Sequence, residues 1–129
     1  MNDDFPQRNA KLQDIDPEST LQYWRHALNV RKKHAHSLIH GTFHMHSADD
    51  PSIMCFSRVS KEGKGQALVV LNFTGEKCEW VVPVEERSIL RDGHALLSNY
   101  DAALLPRSVD DGGRVSLRPF EAFVLGVEV

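Results

Sequence analysis

The sequence predicts a mainly β chain: an N-terminal loop and one long α-helix, followed by an antiparallel β-sandwich or barrel. Three observations carry this. Apolar residues recur at helical spacing before Gly41, at Leu21, Trp24, Ala27 and Leu28. Beyond Gly41 they fall into seven short runs separated by turn-forming residues, the pattern of a sandwich or barrel. A chain of 129 residues can bury a core of its own, yet it is far too short for a closed (β/α)8 barrel, which takes about 250.

Residues 2–15 are polar and patternless, with Pro6 and scattered charges, and are expected to form an extended loop. The helix is expected from about residue 17 to 34. Asp16 offers a carboxylate to the first free N–H groups, Pro17 suits the first helical position, and Glu18 favours the positive end of the dipole. Arg31-Lys32-Lys33 suits the negative end. Burying Leu21, Trp24 and Leu28 would contribute roughly 5 to 8 kcal/mol, at about 1.5 to 3 each, more than helix propensity supplies. The helix is therefore expected to need a partner surface.

The β runs are 42–46, 53–59, 67–73, 77–82, 95–99, 114–117 and 122–127. Between them lie Asp49-Asp50-Pro51, Lys61-Glu62-Gly63-Lys64-Gly65, Thr74-Gly75, Asp92-Gly93 and Asp110-Asp111-Gly112-Gly113. Leu68-Val69-Val70-Leu71 is apolar on both alternating faces, which fits a central strand, and the glycine-rich turn before it predicts a hairpin of 53–59 with 67–73. Cys78, Trp80 and Val82 share one face of the next strand, expected to point inward.

These blocks resemble the C-terminal end of the α-glucosidase branch of the α-amylase superfamily, the oligo-1,6-glucosidases and maltases. Asn2-Asp3-Asp4-Phe5 resembles the family's Asn-x-x-aromatic loop. Asp16-Pro17-Glu18-Ser19, with the helix ending Val30-Arg31-Lys32, resembles its last barrel helix, and Leu38-Ile39-His40-Gly41 the exit from it. In the family's order follow Pro51-Ser52-Ile53-Met54-Cys55-Phe56-Ser57-Arg58, Leu68-Val69-Val70-Leu71-Asn72-Phe73-Thr74, Leu96-Leu97-Ser98-Asn99-Tyr100-Asp101 and Leu117-Arg118-Pro119-Phe120-Glu121-Ala122. Arg8-Asn9-Ala10 departs from the usual Ile-Asn-Val, and Phe120 stands where Tyr is usual.

The resemblance implies residues 1–40 as the end of a catalytic barrel, its loop plus last helix, and 41–129 as an antiparallel β-sandwich domain beside it with Greek-key-like connections. It implies a retaining glycosidase whose Asp nucleophile and Glu acid/base sit on barrel strand ends outside this chain. No residue here matches those motifs, so no catalytic residue and no cofactor is assigned, and the chain alone is expected to be inactive. The implied role is scaffolding, with the catalytic barrel as partner. The alternative is an independent interaction module that docks or self-associates through Leu21, Trp24 and Leu28, or offers a weak carbohydrate surface.

Charge and composition narrow the partners. Fifteen Lys and Arg against eighteen Asp and Glu give a net charge of -3, which favours neither nucleic acid nor an anionic membrane. No apolar run approaches the roughly 18 residues of a membrane span. Met1-Asn2-Asp3-Asp4 is acidic where a secretory leader would be basic and then apolar, so a cytoplasmic location is expected. Cys55 and Cys78 lie in apolar runs and are expected as buried free thiols.

Five histidines, at 34, 36, 40, 44 and 46, crowd one segment. His44-x-His46 has a spacing that can hold zinc on one strand face, although no Cys, Asp or Glu lies among them; the ordinary reading is solvated or half-buried imidazoles. The carboxylate pairs Asp49-Asp50, Glu85-Glu86 and Asp110-Asp111 are expected as solvated turn caps, because a glycosidase pair needs burial and a separation of about 5 to 10 Å. No nucleophile elbow occurs, and Gly63-Lys64-Gly65 lacks the phosphate-loop spacing and reads as a hairpin tip. Asn72-Phe73-Thr74 is a glycosylation sequon by pattern alone. Trp24, Trp80, Tyr100 and Phe120 offer aromatic faces to a sugar, with core packing the expected fate of Trp80.

Overall fold

The computed structural model describes residues 2–102, 105 and 109–128. Met1 and Val129, the outer ends of the two expected segments, lie outside the described residues. The chain divides into two compact units, Met1–Lys33 and His34–Val129.

In the first unit the loop expected over 2–15 is only partly found, because α1 (Ala10–Ile15) occupies its second half. Asn9 is the reason. Its carboxamide oxygen accepts from Leu12 N at 3.0 Å and its amide donates to the Phe5 carbonyl at 3.0 Å, so one side chain caps the helix and ties back the loop. Helix α2 (Thr20–Lys33) starts later than expected. Asp16 accepts from Glu18 N at 2.9 Å and closes a turn, while Ser19 is the cap: its Oγ accepts from Gln22 N at 3.2 Å and donates to the Gln13 carbonyl at 2.6 Å. A Gln22 amide bond to the Asp14 carbonyl, at 2.6 Å, and an Arg25–Asp14 ion pair join α2 to α1. No residue of α2 is buried; Trp24 is 61% exposed and Leu28 54%. The burial energy expected of this face is not realised.

The second unit opens with α3 (Ala35–Leu38) and continues through β1 (Thr42–Met45), β2 (Ile53–Val59), β3 (Gly65–Asn72) and β4 (Cys78–Val81). β5 (His94–Ser98), β6 (Arg114–Leu117) and β7 (Ala122–Glu128) complete it. All seven strands lie within two residues of the expected runs. They pair antiparallel in a five-stranded sheet of order β1-β2-β3-β7-β5 and a two-stranded sheet of β4 and β6. β3 lies at the centre of the larger sheet, paired with β2 and β7, as its two apolar faces require.

Burial alternates along the strands. Ile53 and Cys55 of β2, Leu68 and Val70 of β3, and Phe123 and Leu125 of β7 meet Trp80, Val115 and Leu117 from the second sheet in one apolar cluster. A 3₁₀ turn (Val84–Glu86) and α4 (Arg87–Asp92) follow β4, an insertion not foreseen, and its Ile89 and Leu90 enter the same cluster.

Residues 34–40 lie in the second compact unit. The Arg58 guanidinium on β2 donates to the carbonyls of Ser37 (3.1 Å), Ile39 (3.0 Å) and Gly41 (2.9 Å) and so clasps the exit of α3. Gly41 permits the approach: a side-chain carbon there would stand 2.4 Å from the Ser37 carbonyl oxygen and 2.9 Å from that of Val59.

Candidate functional site

Two of the expected turn carboxylates are caps. Asp50 Oδ1 accepts from Ser52 N (2.8 Å) and Ile53 N (2.9 Å), and Asp110 Oδ1 from Arg114 N (2.7 Å). Glu86 overturns the expectation for its pair, because the 3₁₀ turn carries it inward until it is 3% exposed. Its Oε2 accepts from the Gln66 amide at 2.8 Å, and its Oε1 lies 3.0 Å from His46 Nε2.

A second buried carboxylate, Glu121, was not singled out by sequence. It accepts from Arg118 Nη2 at 2.7 Å and Arg118 N at 2.8 Å. The Arg118 guanidinium lies 4.0 Å from the Tyr100 ring centroid. Gln66, beside Glu86, opens β3, and Asn72, whose N–H donates to the Glu121 carbonyl, closes it. Six strand steps put the two ends about 20 Å apart. Glu86 and Glu121 therefore do not form a glycosidase pair, which spans about 5 to 10 Å. Only the i,i+3 spacing of Arg118 and Glu121 could have signalled their bond; nothing local signals Gln66 with Glu86.

His44 is exposed on β1 and His46 follows the strand. The structure separates their fates: His46 Nε2 also lies 2.8 Å from Ser57 Oγ, and its Nδ1 is 3.9 Å from Glu85. Among the described residues no three His, Cys, Asp or Glu side chains gather in a metal-binding group. The Ser57–His46–Glu86 contacts are not a hydrolytic triad either. Serine and acid share one imidazole nitrogen where a triad places them on opposite ones, and Ser57 is buried.

Cys55 is fully buried, and burial, followed by the charge of Glu86, pushes its thiol from 9.0 up to about 12. Cys78 is a correction: its free thiol is half-buried, with Sγ 3.2 Å from Thr74 Oγ1. Asn72 is buried, its amide donating to the Glu76 and Arg118 carbonyls at 2.9 Å each, so the sequon is a strand-end lock. Trp80 packs in the core, whereas Phe120 is exposed with a positive φ of 52°. Gly63-Lys64-Gly65 is the tip of the β2–β3 hairpin.

No protein-family model matches the chain. An α-glucosidase of Schizosaccharomyces pombe is 34% identical over 125 residues, covering 97% of this chain and 20% of its own length. An oligo-1,6-glucosidase of Halalkalibacterium halodurans is 34% identical over 127 residues, with 96% and 20% covered. The chain is homologous to part of the α-glucosidases and oligo-1,6-glucosidases. It spans about a fifth of the length of these curated relatives.

Solved structures agree on the fold. Trehalose-6-phosphate hydrolase of Bacillus licheniformis superposes on all of the α-glucosidase homologue with a TM-score of 0.78 at 20% identity, using 22% of its own chain. The trehalulose synthase MutB of Pseudomonas mesoacidophila MX-45 covers 99% with a TM-score of 0.74 at 20% identity, using 21% of its chain. The β-rich architecture is shared with about a fifth of each of these chains. Among the described residues of this homologue, no helix is long and apolar enough to cross a membrane.

Proposed function

We propose that this chain is the non-catalytic scaffolding part of an α-glucosidase, its segment 1–40 finishing a catalytic barrel and 41–129 forming the sandwich beside it, in the cytoplasm. The complete enzyme would release terminal α-linked glucose from maltose- or isomaltose-type sugars, with its reacting carboxylates on the barrel. The observation that carries the reading is the uncovered face of α2 in a chain that matches about a fifth of its relatives: Trp24 and Leu28 stay exposed on a helix with no buried residue. The outer face of the five-stranded sheet adds to it, with Phe43 and Phe56 rings 5.1 Å apart beside an exposed Met45. Apolar faces of this kind stabilise a molecule only when something covers them.

The test is deletion of the equivalent region from the Schizosaccharomyces pombe α-glucosidase. Loss of soluble yield together with a lowered melting temperature is the expected result. A truncated enzyme with unchanged melting temperature and turnover would overturn the reading. For the isolated chain, gel filtration showing a clean monomer would favour the self-sufficient interaction module instead, whereas self-association that Trp24→Ser with Leu28→Ser abolishes would fit a piece separated from its barrel.

A further inference from the structure

The histidine-rich segment finds its neighbours at the hairpin tip. His36 on α3 and His40 at its exit line a cleft of about 330 Å³, closed on the other side by Ser60, Lys61, Glu62 and Lys64 from the β2–β3 turn. Both walls are fixed by the backbone. Arg58 holds the carbonyls of Ser37, Ile39 and Gly41, and Ser60 N donates to the Gly65 carbonyl at 2.9 Å, which closes the hairpin. Lys64 pairs with Glu62. The Glu62 carboxyl is held below its ordinary range, first by its hydrogen bond from Lys64 and then by the Lys64 charge.

Counting charges, two lysines against one carboxylate leave an excess cation, and the two imidazoles add ring N–H donors beside it. Donors outnumber acceptors: each ammonium carries three N–H groups and Ser60 adds a hydroxyl. The rest of the chain offsets this locally basic spot, since the whole carries -3. A cleft of this size on an otherwise acidic chain suits a small ligand rather than a polyanion or a lipid surface. We propose that the His36–His40–Lys61–Lys64 cleft binds a small phosphate-bearing anion, either inorganic phosphate or a phosphorylated sugar.

The test titrates the full chain with inorganic phosphate and, separately, with glucose 6-phosphate. Calorimetry reads the heat, and NMR reads the imidazole C2–H signals. Saturable one-site binding is expected, with His36 and His40 signals shifting and His94 still. Lys61→Ala with Lys64→Ala should weaken binding about tenfold, the scale for losing charge-assisted contacts in an open cleft. Glu62→Gln, which frees Lys64, should tighten it several-fold, whereas Lys77→Ala, at the far end of β3, should leave it unchanged. Equal affinity for both probes assigns the site to the phosphate group alone; tighter binding of glucose 6-phosphate assigns part of it to the sugar. Non-saturating heats, or equal weakening by the Lys77 and Lys61/Lys64 variants, would overturn the proposal.

Discussion

Replacing Arg118 by Ala tests whether the bond across the β6–β7 turn holds the sandwich together. The guanidinium donates to fully buried Glu121 at 2.7 Å and lies 4.0 Å from the Tyr100 ring, whose hydroxyl donates to the Pro119 carbonyl at 2.8 Å. A hydrogen bond between charged groups contributes about 1.5 to 3 kcal/mol, and a cation–π contact at an exposed site about 0.5 to 1. The Arg118 side chain keeps 31% of its exposure, so solvent screening lowers the sum to about 2 kcal/mol. Glu121→Ala also removes the acceptor for Arg118 N (2.8 Å) and leaves a cavity in a packed site, which raises the loss to about 3 kcal/mol. Urea unfolding followed by far-ultraviolet circular dichroism and by the fluorescence of buried Trp80 measures both, and an unchanged slope shows that the unfolding reaction is the same. At about 3 to 5 °C per kcal/mol, Arg118→Ala should lower the melting temperature by roughly 6 to 10 °C. Arg118→Lys keeps the charge without the planar fork and should recover only part of this. If Arg118→Ala shifts stability by less than about 0.5 kcal/mol, the bond is not a structural element and the argument fails.

Two further perturbations probe other joints. The folded Cys55 thiol keeps its proton up to about 12 where the unfolded thiol loses it near 9.0, so its stabilising effect is complete below pH 9.0 and is lost as pH rises toward about 12. Unfolding free energy should fall across that window by up to about 1.4 kcal/mol per pH unit, and Cys55→Ala, measured by urea melts at stepped pH, should remove the decline; an identical decline in the variant refutes the assignment. Gly41→Ala places a carbon 2.4 Å from a carbonyl oxygen that cannot swing aside, and should destabilise the second unit by about 2 kcal/mol or more. A fully stable Gly41→Ala protein would mean that the Arg58 clasp is not rigid.

The strands were legible because each carries its own signal. Alternation in 53–59 and 122–127 and turn residues between the runs are local properties, and local properties are read without knowing the fold. The helical details were less legible where two cap residues compete. Asp16 and Ser19 both suit a helix start, and Ser19 prevails because its hydroxyl also reaches the Gln13 carbonyl, a contact that exists only once α1 has formed. The turn of α4 contributes two buried residues, Ile89 and Leu90, too few to establish a period in six residues. Glu86 shows the same limit in the site. Its neighbour Glu85 is exposed and chemically identical, and what separates them is the direction the 3₁₀ turn faces, toward Gln66 on a strand twenty positions away.

That separation bears on the proposed role. Glu86 and Glu121 are acids that evade solvent, the property a glycosidase requires, yet each is engaged by groups of its own neighbourhood. Gln66 and His46 hold one beside the start of β3, and Arg118 holds the other beside its end. With about 20 Å between those ends, no single sugar ring can lie between both carboxyls. Buried carboxyl groups bonded at strand ends act as joints, because a buried polar group is costly to disconnect from its partners and so fixes which segments meet. Each acid thus holds strand ends together within the second unit.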